Sequence, residues 1–162
     1  MKTNVSGRIG HLFEERVRFA LAKNHYIPMD KNKWVKNYAP EKDTASKREF
    51  DLVMFNTLDK EFYVIECKAH LSRDEMVKLN GIKKFNYVAI NYGGRAAKKL
   101  IVTDTDLSFH AKNYAKKKNI QFINGKELGR MERKPETPYL PLISALFRTG
   151  LENIVKNMIK SY

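Results

Sequence analysis

Three residues near the middle of the chain carry the most chemistry: Asp51, Glu66 and Lys68. Asp51 stands between Phe50 and Leu52, within Glu-Phe-Asp-Leu-Val-Met-Phe. Glu66 and Lys68 flank Cys67, directly after Tyr63-Val64-Ile65. Both apolar segments are β-branched and aromatic and predict strands. The polar Asn-Thr-Leu-Asp-Lys between them is short enough for a hairpin loop. Side chains two apart in a strand point the same way, so Glu66 and Lys68 share a face and Cys67 points to the opposite one, toward the core. A carboxylate and an ammonium ending a strongly apolar strand are costly unless paired or bound to a metal. A divalent cation held by Asp51 and Glu66, with Lys68 beside it, removes that cost. Three charges on a solvated hairpin are the alternative.

Other elements must hold this hairpin. Over residues 6–22, Ile9, Leu12, Phe13, Val17, Ala20 and Leu21 recur at helical spacing and predict an amphipathic helix. Glu14 falls at the edge of that stripe, from where it can reach a site beside the core or remain solvated. Residues 23–48 read as polar, with Trp34 and Tyr38 as anchors, a short strand at Trp34-Val35, and a mobile basic loop from Asp43 to Arg48. After Lys68, Ser72 and Glu75 form a capping-box pattern that predicts a helix to about Asn91, burying Met76, Leu79, Ile82 and Val88 and ending at Gly93-Gly94. Residues 98–103 predict a strand, Asp104, Thr105 or Asp106 a cap for a helix to about Lys118, and 120–123 a further strand. The order is that of an α/β sandwich around a mixed sheet.

The 162 residues suit one domain, and 43% hydrophobic with 30% charged residues fits a globular protein. No apolar run is long enough to span a bilayer and no signal peptide is evident, so no membrane partner is expected. Cys67 is the only cysteine, which rules out an intramolecular disulfide and favours a reducing, cytoplasmic setting. No zinc-ligand spacing occurs. Gly93-Gly94-Arg95 is far from a phosphate-loop motif, and no small-molecule cofactor is expected. The net charge of +13 fits a polyanionic partner, most simply nucleic acid. Lys47, Arg48 and Arg95 are candidate backbone contacts, with a solvated loop or a helix-terminal arginine as alternatives. His70, two residues beyond Lys68, either approaches a substrate or is structural.

Asp51 followed by Glu66-Cys67-Lys68 resembles the core of the PD-(D/E)XK nucleases, and Gly10-His11-Leu12-Phe13-Glu14 is similar to the helix that precedes their sheet. Phe50 stands where the family motif has Pro. The resemblance covers roughly residues 7–128 and implies a restriction-endonuclease-like core. It further implies one or two Mg²⁺ or Mn²⁺ ions on Asp51, Glu66, Glu14 and the Cys67 carbonyl, with Lys68 at the scissile phosphate or attacking water. A narrower resemblance is to the nuclease domain of CRISPR-associated CARF–nuclease effectors. With Met1 so close to Gly10, no N-terminal sensor domain is expected. The implied function is a metal-dependent nuclease, DNA before RNA and endonuclease before exonuclease. A non-catalytic nucleic-acid-binding protein and a nuclease subunit of a larger complex are the alternatives.

The nuclease-like domain is expected over residues 1–134. In 135–162, Pro135, Pro138 and Pro141 break the chain before an amphipathic helix over 142–160. That helix packs on the core or joins two copies, and a homodimer is expected because one such site cuts one strand.

Overall fold

The structure is a computed structural model and describes residues 5–37, 46–70, 72, 74–93 and 98–135. Helix α1 (Val5–Ala22) leads into β1 (Tyr26–Asn37), β2 (Ser46–Asn56) and β3 (Glu61–Lys68). A two-residue strand β4 (Met76–Val77) precedes α2 (Leu79–Gly93). Then come β5 (Lys98–Thr103), the short β6 (Asp106–Leu107), α3 (Phe109–Lys117), β7 (Ile120–Ile123) and α4 (Gly125–Glu132). The central sheet has the order β1-β2-β3-β5-β7. Its first three strands form an antiparallel meander, and β3, β5 and β7 run parallel. This mixed α/β sandwich is the fold class expected from the sequence.

Both faces of the sheet are covered. On one, Ile82, Phe85 and Ala89 of α2 and Ala111 and Ala115 of α3 bury Val53, Val64, Ile101 and Ile120. On the other, Phe13, Val17, Ala20 and Leu21 of α1 and Leu128 of α4 bury Leu52, Met54, Ile65, Leu100 and Val102. Burial on both faces fits the run Leu100-Ile101-Val102 at the centre of β5. Each fully buried Leu, Ile or Phe side chain contributes about 1.5–3 kcal/mol relative to exposure. α1 is further tied to α4 by a forked Arg16–Glu132 pair, with Nε at 2.6 Å and an outer nitrogen at 3.0 Å from the two carboxylate oxygens. Asn24 Nδ2 bridges the Ala20 and Met131 carbonyls at 2.7 and 3.2 Å.

Several expectations are corrected. The strand expected at Trp34-Val35 is present but is part of a longer one: Tyr26–Asn37 is an edge strand, with a register shift between Pro28 and Asp30. Lys47 and Arg48 lie in β2, opposite Lys36 and Val35, not in a loop. The Ser72–Glu75 pattern makes a turn, not a helix start. The Ser72 carbonyl accepts the Glu75 N–H at 3.2 Å, and the chain then pairs as β4 with β6 before α2 begins. Met76 is consequently 51% exposed. Helix α3 is capped by Ser108 rather than by Asp104, Thr105 or Asp106. Leu12 is 62% exposed, so the packed stripe of α1 is narrower than its apolar composition suggests. Tyr38, Arg95 and the whole 142–160 segment lie outside the described residues.

Candidate active site

The three parallel strands end on one edge of the sheet, at Lys68, Thr103 and Ile123. Side chains at the carboxyl ends of such strands sit where an α/β sheet offers an open crevice. Glu66 and Lys68 project there. Their register partners are Ile101 and Thr103, and Ile101 belongs to the α2–α3 core, so both charges lie on that face of the sheet. Cys67 turns the other way and packs at the edge of the α1–α4 core. Burial pushes its thiol well above the usual range, and the charges of Asp51, Glu14 and Glu66 add to that.

Asp51 reaches the same corner from β2. The β2–β3 ladder runs from Asn56 opposite Glu61 to Leu52 opposite Ile65. Beyond that pair the Cys67 N–H is taken by the Asp51 carboxylate, at 2.6 Å from Oδ2. Side-chain alternation slips here: Phe50 packs with the α2–α3 core and Leu52 with the α1–α4 core. Phe50 stands edge-on to Phe85, with ring centroids 6.2 Å apart. The slip leaves Asp51 between the layers, directed at the end of β3.

The electrostatics are those of crowded carboxylates. Burial, then the charge of Glu66, raises the Asp51 carboxyl to about 7, with Glu14 adding to the rise; the Cys67 N–H and Lys68 oppose it. Lys68 pairs with Glu66 Oε1. Burial lowers its pKa, but Glu66, helped by Asp51, outweighs burial and leaves it raised. Glu14 is largely buried on α1, its Oε2 lying 3.8 Å from His11 Nδ1. It approaches from the α1 side, and its charge is felt by Asp51 and Cys67.

Asp51 and Glu66 offer hard oxygen donors suited to Mg²⁺ or Mn²⁺, and the burial and the Glu66 repulsion that raise the Asp51 carboxyl are what a divalent cation would offset. The residues present therefore fit such an ion. Among the described residues, no three acidic, His or Cys side chains already converge as a ligand cage. The Lys68 ammonium engages Glu66, and the Cys67 N–H engages one Asp51 oxygen.

Of the remaining sequence candidates, His70 is placed at this edge. Its N–H donates to both oxygens of Asp104 at 3.1 Å, and its Nδ1 lies 3.2 Å from Asp104 Oδ1. The side chains of Lys47 and Arg48 are outside the described set, as is Arg95. Sequence reasoning missed Asp104 as a partner of this edge and read it as a helix cap. The available signal was its position directly after an apolar strand that ends in Thr103.

Comparison with known proteins gives a family and a fold. The family model described as restriction endonuclease matches residues 10–131. No curated protein matches the chain. Among solved structures, the protein of unknown function AF1548 is 22% identical, with a TM-score of 0.57 over 72% of this chain and 58% of its own. Can2 from Sulfobacillus thermosulfidooxidans, in complex with cyclic tetra-adenylate, is 20% identical, with a TM-score of 0.56 over 77% of this chain and 34% of its own. A repair endonuclease from Pyrococcus abyssi is 14% identical, with a TM-score of 0.50 over 76% of this chain and 48% of its own. The chain thus spans less than two thirds of each of these proteins. At these identities the likeness is one of fold.

Proposed function

We propose that this chain, which belongs to the restriction endonuclease family, hydrolyses phosphodiester bonds of nucleic acid with Mg²⁺ or Mn²⁺, DNA before RNA and as an endonuclease. The observation that carries the reading is the meeting of Asp51, Glu66 and Lys68 at the carboxyl end of β3, where the Cys67 N–H donates to Asp51 Oδ2 at 2.6 Å, Lys68 pairs with Glu66, and burial with the charges of Glu66 and Glu14 pushes the Asp51 carboxyl up. Crowding of this kind, in a corner already holding a lysine, is how a site prepared for a cation and a phosphate differs from a solvated hairpin.

In this reading Asp51, Glu66 and the Cys67 carbonyl hold the ion, with Glu14 joining directly or through water. When bound, the ion supplies a lowered pKa for water and stabilises charge at the phosphate. The chain's own residues prepare the geometry. The Cys67 N–H fixes one Asp51 oxygen, and pairing holds Glu66 and Lys68 side by side. Lys68, a compact point charge, is placed to meet a non-bridging phosphate oxygen or orient the attacking water. The surplus of lysine and arginine, +13 overall, supplies sequence-independent affinity.

The test is incubation of the purified protein with plasmid, circular single-stranded DNA and RNA, each with Mg²⁺, Mn²⁺ or EDTA. Cleavage of at least one substrate that EDTA abolishes is expected. Binding to these substrates without cleavage under every condition would favour the non-catalytic reading.

A further inference from the structure

We propose that His70 is a further catalytic residue of this site: a base, held by Asp104, whose Nε2 accepts a proton from the water that attacks the scissile phosphate. The inference rests on the nuclease reading above and adds a proton acceptor to it.

The geometry fixes the imidazole on one side. Nδ1 lies 3.2 Å from Asp104 Oδ1, 3.2 Å from Thr105 Oγ1 and 3.4 Å from Thr103 Oγ1. In the neutral tautomer whose Nδ1–H donates to the Asp104 carboxylate, Nε2 keeps its lone pair. The His70 backbone N–H donates to the same carboxylate, which holds Asp104 in place. No hydrogen bond from the described residues engages Nε2. No buried side-chain nitrogen or oxygen among them lacks a partner, so Nε2 opens to solvent.

It sits at the strand ends that also carry Lys68 and Glu66. Thr103 is the register partner of Lys68, and in-register neighbours about 4.8 Å apart project to the same face. A ring resting on Thr103 Oγ1 therefore stands one strand over from Lys68. Asp104 is the charged group against the ring; Lys68 is the register partner of Thr103, and Arg16 acts on Asp104 from α1.

The support behind Asp104 is rigid. The Gly125 N–H of α4 donates to the Thr105 carbonyl at 3.0 Å. A Cβ on Gly125 would sit 2.0 Å from the Asp104 carbonyl oxygen, so only glycine fits there. Pairing of β4 with β6 closes the segments that follow β3 and β5. A carboxylate that orients an imidazole at the ends of the strands carrying Glu66 and Lys68 is the arrangement a general base needs.

The step balances. A water O–H bond breaks and its proton passes to Nε2, while the oxygen pair forms the new bond to phosphorus. The phosphorus bond to the departing sugar oxygen breaks on the side opposite the attacking water; that oxygen keeps the pair and takes a proton from solvent water, and Nε2 returns its proton to solvent.

The test uses the full chain with Mg²⁺ and whichever nucleic acid the wild type cleaves. His70→Asn keeps a donor to Asp104 near the Nδ1 position but lacks Nε2. It should bind nucleic acid and melt as wild type does, yet cleave at least about 100-fold more slowly. His70→Ala should lose cleavage similarly and regain part of it with added imidazole. Wild-type cleavage by His70→Asn would overturn the proposal. So would loss of rate together with loss of folding in both variants, with no imidazole rescue. A wild-type protein inert toward every substrate would instead overturn the nuclease reading, and this inference with it.

Discussion

Replacing Asp51 by Asn should stabilise the metal-free protein while abolishing its cleavage. The folded carboxyl is at about 7, against 3.8 for an ordinary aspartate. Because the folded pKa is raised, the stability from a protonated Asp51 is fully present below about pH 4 and lost as pH rises through 7. At about 1.4 kcal/mol per unit, full ionisation costs the fold at most about 4–5 kcal/mol. Coupling to Glu66 and Lys68 lets part of that relax, and Asn accepts the Cys67 N–H less strongly than a carboxylate. A net gain of about 2 kcal/mol is the working figure, or roughly 4–8 °C in melting temperature for a chain of this size. Thermal melts in EDTA at about pH 8 and pH 5 measure it. Asp51→Asn should melt higher at the upper pH, and the gap should shrink at the lower. Mg²⁺ should raise the wild-type melting temperature and leave the variant unmoved. An equal or lower melting temperature for Asp51→Asn at about pH 8 would refute the crowded-carboxylate account.

Gly125→Ala forces a methyl against the Asp104 carbonyl; it should cost about 1–3 kcal/mol in chemical denaturation and slow cleavage by shifting the His70 support. Nucleic-acid affinity should fall steeply with salt, because each neutralised phosphate releases condensed counterion. A flat log–log plot from titrations at several salt concentrations would contradict a basic surface that tracks the backbone. We also propose that residues 142–160 pair two copies. Light scattering should then give a dimeric mass that Leu151→Glu/Ile154→Glu reduces to a monomer, and a monomeric intact protein at tens of micromolar would sink that proposal.

The strands that carry the site were legible because their burial makes them apolar and bounds them sharply: β5 and β7 fall on the segments read from the sequence. Of edge strand β1 only Trp34-Val35 was legible, because the composition of the rest hides it. It carries the unbroken polar run Asp30-Lys31-Asn32-Lys33 and contains Pro28, which an edge tolerates and a central strand does not. Ser72 and Glu75 carry the local signature of a helix start, but the β4–β6 pairing claims the following residues first. The reverse happened at α4. Asn124 and Glu127 form a reciprocal capping box whose pattern is plain in the sequence, yet no helix was assigned there. The Asp51, Glu66 and Lys68 candidates could be read from charge set in apolar strands. The His70–Asp104 pair could not, because its partners are 34 residues apart and meet only through the parallel pairing of β3 with β5.

The most direct measurement is the cleavage rate of Glu66→Gln beside wild type, in Mg²⁺ and in Mn²⁺, on the substrate that the wild type cuts. Gln keeps the shape of Glu66 but removes the charge that Lys68 pairs with and that crowds Asp51. The account predicts a folded protein that still binds nucleic acid and does not cut it with either ion. Cleavage by Glu66→Gln at the wild-type rate would contradict a hydrolytic site at this corner of the sheet.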